Sequence, residues 1–533
     1  MSKTTRAPGG SPSTPPTRVP GLRDAVRARR YSGRVFAEDP LRRVRVPVDE
    51  LGLAVLQALG DGPRVVSELV HELGREPGAT ADTIRGRVAL FELHALLETD
   101  HALEQEAIAA SAPALLAREG LAEAPLRAPG ALVHGCVACG SCCMGTDIGP
   151  LTDGDLARLE DAGDWRDVLP EGVEGYRTPV RYEGQTITLM ARTRDRCVFL
   201  DDDKLCLVHK VSGAATKPTI CRQFPYTFTR TPDGVDVSFS MECRAWHRAR
   251  AVGRPVAEQE DALRVFLREG GPVLDLPSPV PAGPGADWPV DRWLQARAEA
   301  IEAVTGAADM RSLVLGLVEP FRERAREDEA RREAARAPWL DAARWGLAEG
   351  TPRPGPGAAS GAPLPASREA LRRGLEQGLQ ELAEEYDARG DGVNAARVRG
   401  VLEALVATMS RRAGAVLAEI VSHPQALSLR RDAVLASLYA HEPARQGDLR
   451  TGVALLVART LAGRRAAQAV ARRSLRVRTE EQDVVDSVVL LTKMLRGTVV
   501  HGLLSRTLAD PLRASFFWHV EASVDGGVGP RRP

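Results

Sequence analysis

The sequence predicts a mainly α multidomain protein: an N-terminal winged-helix-like module, a small α+β cysteine-cluster metal domain, and a C-terminal all-α helical region. Three observations predict it. A chain of 533 residues exceeds what one hydrophobic core usually holds, at roughly 150 residues per domain. Apolar residues recur at helical spacing over long stretches on either side of the middle of the chain. All eight cysteines fall between Cys136 and Cys243, so one segment carries a chemistry that the rest does not.

Composition excludes several classes. Hydrophobic residues at 44% and charged residues at 27% are globular values, not those of a disordered or fibrous chain. The 71 basic and 71 acidic side chains cancel, which removes the long-range field of a dedicated polyanion binder, so nucleic acid is not an expected partner. No apolar run approaches the ~20 residues that cross a bilayer; the best, 453–458 and 499–504, are interrupted by arginine, so no membrane is expected. The N-terminus lacks the apolar stretch of a secretory signal, and the expected location is the cytoplasm.

Residues 1–32 alternate proline and arginine with small polar residues and are expected to be a disordered tail. Residues 33–105 form the winged-helix module. Leu51, Val55, Leu56 and Leu59 line a first helix; Val66, Leu69, Val70 and Leu73 a second; Ile84, Val88 and Phe91 a third. Asp61-Gly62 is a turn signal, and Leu96-Leu97 starts a wing strand. The third helix offers DNA only Arg85 and Arg87, so packing or dimerisation is the plainer role. Residues 106–131, alanine-rich with three prolines, read as a linker. The cysteine domain spans 132–250. A helical region follows over 251–350, including helices over 290–305 and 311–335. Residues 351–367, nearly all Pro, Gly, Ala and Ser, are a second linker. A helical bundle over 368–522 carries Leu371, Leu375, Leu379 and Leu382, then Val401, Leu402, Leu405 and Met409, then Val484, Val488, Leu491 and Leu495 at helical spacing. Residues 523–533 are a second disordered tail. The arginines 464, 465, 472, 473, 476 and 478 read as a solvated face.

A cysteine cluster in a reducing compartment binds metal or does redox chemistry rather than forming structural disulfides. Cys136-Val-Ala-Cys139-Gly-Ser-Cys142-Cys143 places two thiols two residues apart, a local half-site, with Gly135, Gly140 and Gly145 as expected positive-φ positions. Neighbours in an extended chain point apart, so Cys142 and Cys143 are expected to serve two metal positions or two irons of one cluster. The second group is Cys197, Cys206, Cys221 and Cys243. Strands over 186–190 and 197–200 and a turn at Asp201-Asp202-Asp203 return Cys206 toward Cys197, and a strand over 235–241 delivers Cys243. Eight thiols supply two four-ligand sites, or one site plus spare thiols. His134, His209 and His247 lie near cysteines in sequence but read as outer donors or surface residues. Catalytic residues cannot be named: the C-x3-C-x2-C of a radical S-adenosylmethionine enzyme is missing, as is a G-x-G-x-G after a strand.

Two resemblances extend this reading. The run from Leu56 to Leu69, Leu-Gln-Ala-Leu-Gly-Asp-Gly-Pro-Arg-Val-Val-Ser-Glu-Leu, resembles the PqqD-like peptide-recognition modules, which implies a protein or peptide partner. The C-x2-C-x2-C-C motif, followed by Cys197-Val-Phe-Leu and Cys206 and then Lys217-Pro218-Thr-Ile-Cys221-Arg222-Gln-Phe-Pro, resembles the YkgJ-like cysteine-cluster family, to which the flagellin lysine N-methylase FliB is related. That resemblance implies a zinc or iron site at Cys136, Cys139, Cys142, Cys143, Cys197, Cys206 and Cys221. For the methylase branch it implies an iron–sulfur cluster and S-adenosylmethionine as methyl donor to lysine, and it raises Arg222 and Tyr226 as residues that bind a carboxylate or tune sulfur. Two readings stay open: an iron–sulfur protein that modifies a polypeptide, and a zinc-stapled or metal-chelating scaffold without catalysis. The adjacent doublet and the surplus of thiols favour a multinuclear iron–sulfur site.

Overall fold

The computed structural model describes residues 17–31, 33–130, 132–144, 148–182, 185–193, 196–335, 340, 342–345, 347, 422–496 and the isolated positions 380, 383, 384, 387 and 399. The expected linker at 351–367, the tail at 523–533, and Leu371 to Leu382 and Val401 to Met409 of the expected bundle lie outside these residues. The chain divides into two compact units, one within 1–112, 283–287 and 325–364, the other within 113–282, 288–324 and 365–533.

The first unit opens with β1 (Arg18–Val19), β2 (Arg27–Tyr31), β3 (Arg34–Asp39) and β4 (Val44–Val48), followed by α1 (Glu50–Gly60), β5 (Arg64–Val65), α2 (Val66–Leu73), α3 (Ala81–Leu93) and α4 (Asp100–Ala110). The three expected helices are present. Asp49 caps α1 by accepting from the Gly52 amide at 2.8 Å, and Thr80 and Thr83 make a reciprocal box at the start of α3. Leu56, Leu59, Leu69, Ile84, Val88 and Phe91 share one core, the faces that helical periodicity marks. Residues 17–31 differ from the disordered chain that composition predicts. β2 is wholly exposed, so no apolar alternation betrays it; it is held by its antiparallel ladder to β3, with Arg29 opposite Phe36. The expected wing is a single bridge, Leu97 to Leu22.

The second unit runs through β6 (Leu126–Arg127) and β7 (Val133–His134) into a lobe of short elements: α5 (Asp153–Asp161), β8 (Arg177–Tyr182), β9 (Gln185–Met190), β10 (Arg192–Thr193), β11 (Arg196–Cys197), α6 (Leu207–Ser212) and α7 (Thr219–Gln223). The chain then builds a body from β12 (Tyr226–Arg230), β13 (Val235–Phe239), α8 (Trp246–Val252), β14 (Arg254–Pro255), α9 (Glu260–Arg268), β15 (Val273–Asp275) and α10 (Val290–Thr305). The helix α11 (Met310–Ala335) follows, and after the undescribed stretch come α12 (Ala426–Tyr439), α13 (Glu442–Arg445), α14 (Leu449–Arg473) and α15 (Glu481–Arg496). Among the described residues no helix is long and apolar enough to cross a membrane.

The sheet of the body has the order β15-β12-β13-β6, an antiparallel hairpin flanked by two parallel neighbours. Every residue of β13 is buried, as expected for a strand covered on both faces. Ser238 Oγ donates to the Ala436 carbonyl at 2.7 Å, which lays α12 on the sheet, and Phe228, Val237 and Trp246 share a core with Ala433, Ala436, Val484 and Val488. Two expected boundaries are thereby crossed. The stretch 106–131 supplies a sheet strand and the buried Leu121 and Ala124. The C-terminal helices share their core with the strands around the cysteines instead of standing apart as a bundle. Periodicity shows which face of a helix is apolar but not what covers it.

Candidate metal centre

The eight cysteines come from six local structures. Cys136 and Cys139 lie on the loop after β7, which pairs with β14 so that His134 faces Arg254. At that crossing a Cβ on Gly135 would stand 2.9 Å from Gly253 Cα, so glycine is required for the approach and not, as expected, for a positive φ. The left-handed residues are Ala138 (φ +51°) and Gly140 (φ +67°), and Gly145 is outside the described residues. The Ala138 amide donates to Cys136 Sγ at 3.4 Å.

Cys142 and Cys143 close a 3-10 turn, Ser141–Cys143. The turn is not extended chain, so the two sulfurs lie 3.9 Å apart where alternation predicts divergence. Cys197 ends β11 and is buried. The turn at Asp201 forms as the sequence predicts, the Asp201 amide donating to the Leu205 carbonyl at 3.0 Å and the Lys204 amide to the Asp201 carbonyl at 3.1 Å. The expected strand over 197–200 ends at Cys197, because the chain turns at once and the Leu200 amide donates back to the Cys197 carbonyl at 3.0 Å. Leu200 bridges to Cys206, the residue preceding α6. Cys221 lies in α7, whose first amide, Thr219 N, donates to Asp155 Oδ1 at 2.7 Å. Cys243 sits in the turn between β13 and α8, its amide donating to the Ser240 carbonyl at 3.3 Å.

All eight are free thiols, and their electrostatics record who faces whom. Burial pushes Cys197 up to about 11, with the charges of Cys206 and Cys142 adding. Burial raises Cys221 further, reinforced by Cys197, Cys206 and Cys142 and opposed by the Lys217 ammonium. Cys243 is pushed up to about 12 by burial and then by Cys139, Cys142 and Cys136. Within the doublet, the hydrogen bond between the sulfurs lowers Cys142 and raises Cys143. Burial disfavours the Lys217 charge, but Cys206, Cys221, Cys142 and Cys143 outweigh it, so its pKa rises. One ammonium thus faces four thiols. Buried thiols with raised pKa surrender protons when a metal takes their place.

Residues 135–245 match a known family model. Its description is "CxxCxxCC: Putative zinc- or iron-chelating domain", and the match covers about a fifth of the chain, with all eight cysteines inside it. No curated protein and no solved structure matches the chain. The match supports metal binding by this domain. The donor chemistry fits: soft thiolates are ligands for zinc and for iron–sulfur clusters alike. Among the described residues no group of three or more His, Cys, Asp or Glu side chains is set closely enough to hold a metal ion, so the thiols are neighbours and not a closed cage.

The histidines do not join them. His134 is buried, stacks on Phe239 at 6.0 Å and meets the edge of Tyr226 at 5.5 Å; burial holds it down at about 4. His209 is exposed, and the Nδ1 of His247 is buried without a partner. Arg222 does bind a carboxylate, but an internal one, Glu269, and Tyr226 donates to Gln259 Oε1 at 2.7 Å. Sequence reading missed Asp155 and Glu269, which place α7, and gave Lys217 no role. The spacing Thr152-x-x-Asp155 is a legible capping signal; that Asp155 also orients α7, 64 residues on, has no local signal.

Proposed function

We propose that the cysteine domain carries an iron–sulfur centre and that the chain modifies a lysine of a protein or peptide, as a FliB-like N-methyltransferase using S-adenosylmethionine. The observation that supports this reading is the concentration of eight free, mutually neighbouring thiols in a region matching a zinc- or iron-chelating domain. Eight thiols exceed what one mononuclear site needs. The centre, when bound, supplies a redox-active polynuclear iron site held by cysteine thiolates. Of this chain's own residues, Asp155 orients the helix bearing Cys221 and Lys217 offers a positive charge to four thiols. In the same reading the three-helix module of the first unit recognises the polypeptide.

Electron paramagnetic resonance of the anaerobically purified protein before and after dithionite reduction tests the centre. Titration calorimetry with S-adenosylmethionine, followed by mass analysis of a lysine-containing peptide, tests the activity. A fourteen-dalton gain on lysine supports the assignment. A zinc-bound chain silent in both experiments returns the domain to a structural role, which the packing of Cys197 among Val198, Phe199 and Leu200 also suits.

A further inference from the structure

The loop carrying the first four cysteines is pinned at two ends to different parts of the second unit. At its start, Gly135 lies against Gly253 and β7 pairs with β14, which ties Cys136 to the chain leaving α8. At its end, Met144 bridges antiparallel to Arg196, and that register sets Cys143 opposite Cys197. Between the two, Gly140 abuts the backbone of Lys204, at the turn that joins Cys197 to Cys206. Packing follows the same line. Cys143, Cys197, Cys206 and Cys221 all pack in the apolar cluster of the lobe, whereas Cys243 packs against the sheet-and-helix core of the body.

From this division we propose that the cysteines build two separate metal sites, with the adjacent doublet split between them: Cys143, Cys197, Cys206 and Cys221 in the lobe, and Cys136, Cys139, Cys142 and Cys243 at its junction with the body. The proposal rests on the reading of these thiols as metal ligands. Cys142 completes the second site because Cys143, which packs in the lobe, already completes the first. Four thiolates close a zinc site or hold one cubane cluster, so each set has the full number of donors; as the thiols stand no three are close enough to hold an ion, so each set must draw together on binding. The surplus of sulfur is thereby accounted for without a spare reactive thiol.

The test is metal content per chain in the full-length protein purified anaerobically, for the parent and for Cys206→Ser and Cys243→Ser, with circular dichroism to confirm folding. Two sites predict that each variant loses half of the metal, or all of one element if the two sites hold different metals, and that the double variant loses the rest. Cys243→Ser is the arm least exposed to misfolding, because the lobe keeps its own four thiols. Loss of all metal in Cys206→Ser with none lost in Cys243→Ser means one site plus spare thiols and overturns the division while leaving metal binding intact. Loss of all metal in both single variants means one shared centre and also overturns it. A parent chain without metal overturns the underlying reading instead.

Discussion

The lobe and the body of the second unit are neighbours in sequence and are held together by different means. The body combines a four-stranded sheet with helices of up to 25 residues, and its core contains Phe228, Val237, Trp246 and Val488. The lobe has only two-stranded ribbons, β8–β9 and β10–β11, and helices of five to nine residues. Isolated two-stranded ribbons and helices of that length are marginal in water. Its apolar centre, around Leu159, Trp165 and Phe199, is correspondingly slight, and four of the eight thiols pack in it. A small domain short of apolar core is the setting in which metal ligation contributes folding energy.

The sharpest way to break this comparison is to remove the metal. Stripping it with a chelator, or replacing Cys206 with Ser, should cost the lobe upwards of about 5 kcal/mol and leave the body folded. Hydrogen exchange should then show protection lost over 148–221 and kept over 426–489. Equal loss in both regions would mean that they are one cooperative unit.

The reciprocal change is Phe228→Ala, at a fully buried ring in the body. It should cost about 3–5 kcal/mol in denaturant unfolding without changing metal per chain; metal loss here would show that the lobe depends on the body's packing.

Acid separates the two regions next. In the body, His441 is fully buried, accepts from Trp293 Nε1 at 2.9 Å on Nδ1 and donates from Nε2 to Asp236 Oδ2 at 2.6 Å. Burial, with the Arg297 guanidinium adding, holds it down at about 4 against an ordinary 6.5. The unfolded chain therefore binds the extra proton first, so stability falls as pH drops from 6.5 toward 4, by on the order of 2–3 kcal/mol. In the lobe, Asp155 is raised by burial but lowered more by the amides of Thr219 and Thr152, to below its ordinary 3.8. Its contribution is complete above that pH and is lost only as pH falls through the folded value. Unfolding curves between pH 7 and 4 for the parent and for His441→Gln should converge at the acid end; parallel curves would remove His441 from the account.

The smallest effect expected is at the contact between the cysteine loop and the hairpin. Gly140→Ala places a side chain at φ +67° against the Lys204 carbonyl and should cost about 1–3 kcal/mol, with a lower metal affinity in competition against a chelator of known strength. An unchanged affinity would show that the contact does not shape the ligand set.

The regions also differ in how far the sequence discloses them. α1, α2 and α3 are legible because Leu56, Leu69 and Ile84 stand at the spacing of one buried face. The Asp201 turn and the return of Cys206 are legible because local hydrogen bonds alone produce them. β2 is not, since its arginines carry no burial pattern. Nor is the pairing of His441 with Asp236, 205 residues apart, because neither residue bears a mark of the other. The cysteines could be picked out by their concentration, but their sorting to lobe and body follows from Met144 bridging Arg196 and Gly135 crossing Gly253, contacts that only the folded chain makes.

The measurement closest to the central claim is the absorption spectrum of the anaerobically purified protein, taken with its content of iron, zinc and acid-labile sulfide. The account predicts brown protein with a broad band near ~400 nm and sulfide matching iron. Colourless protein holding zinc without sulfide would contradict it.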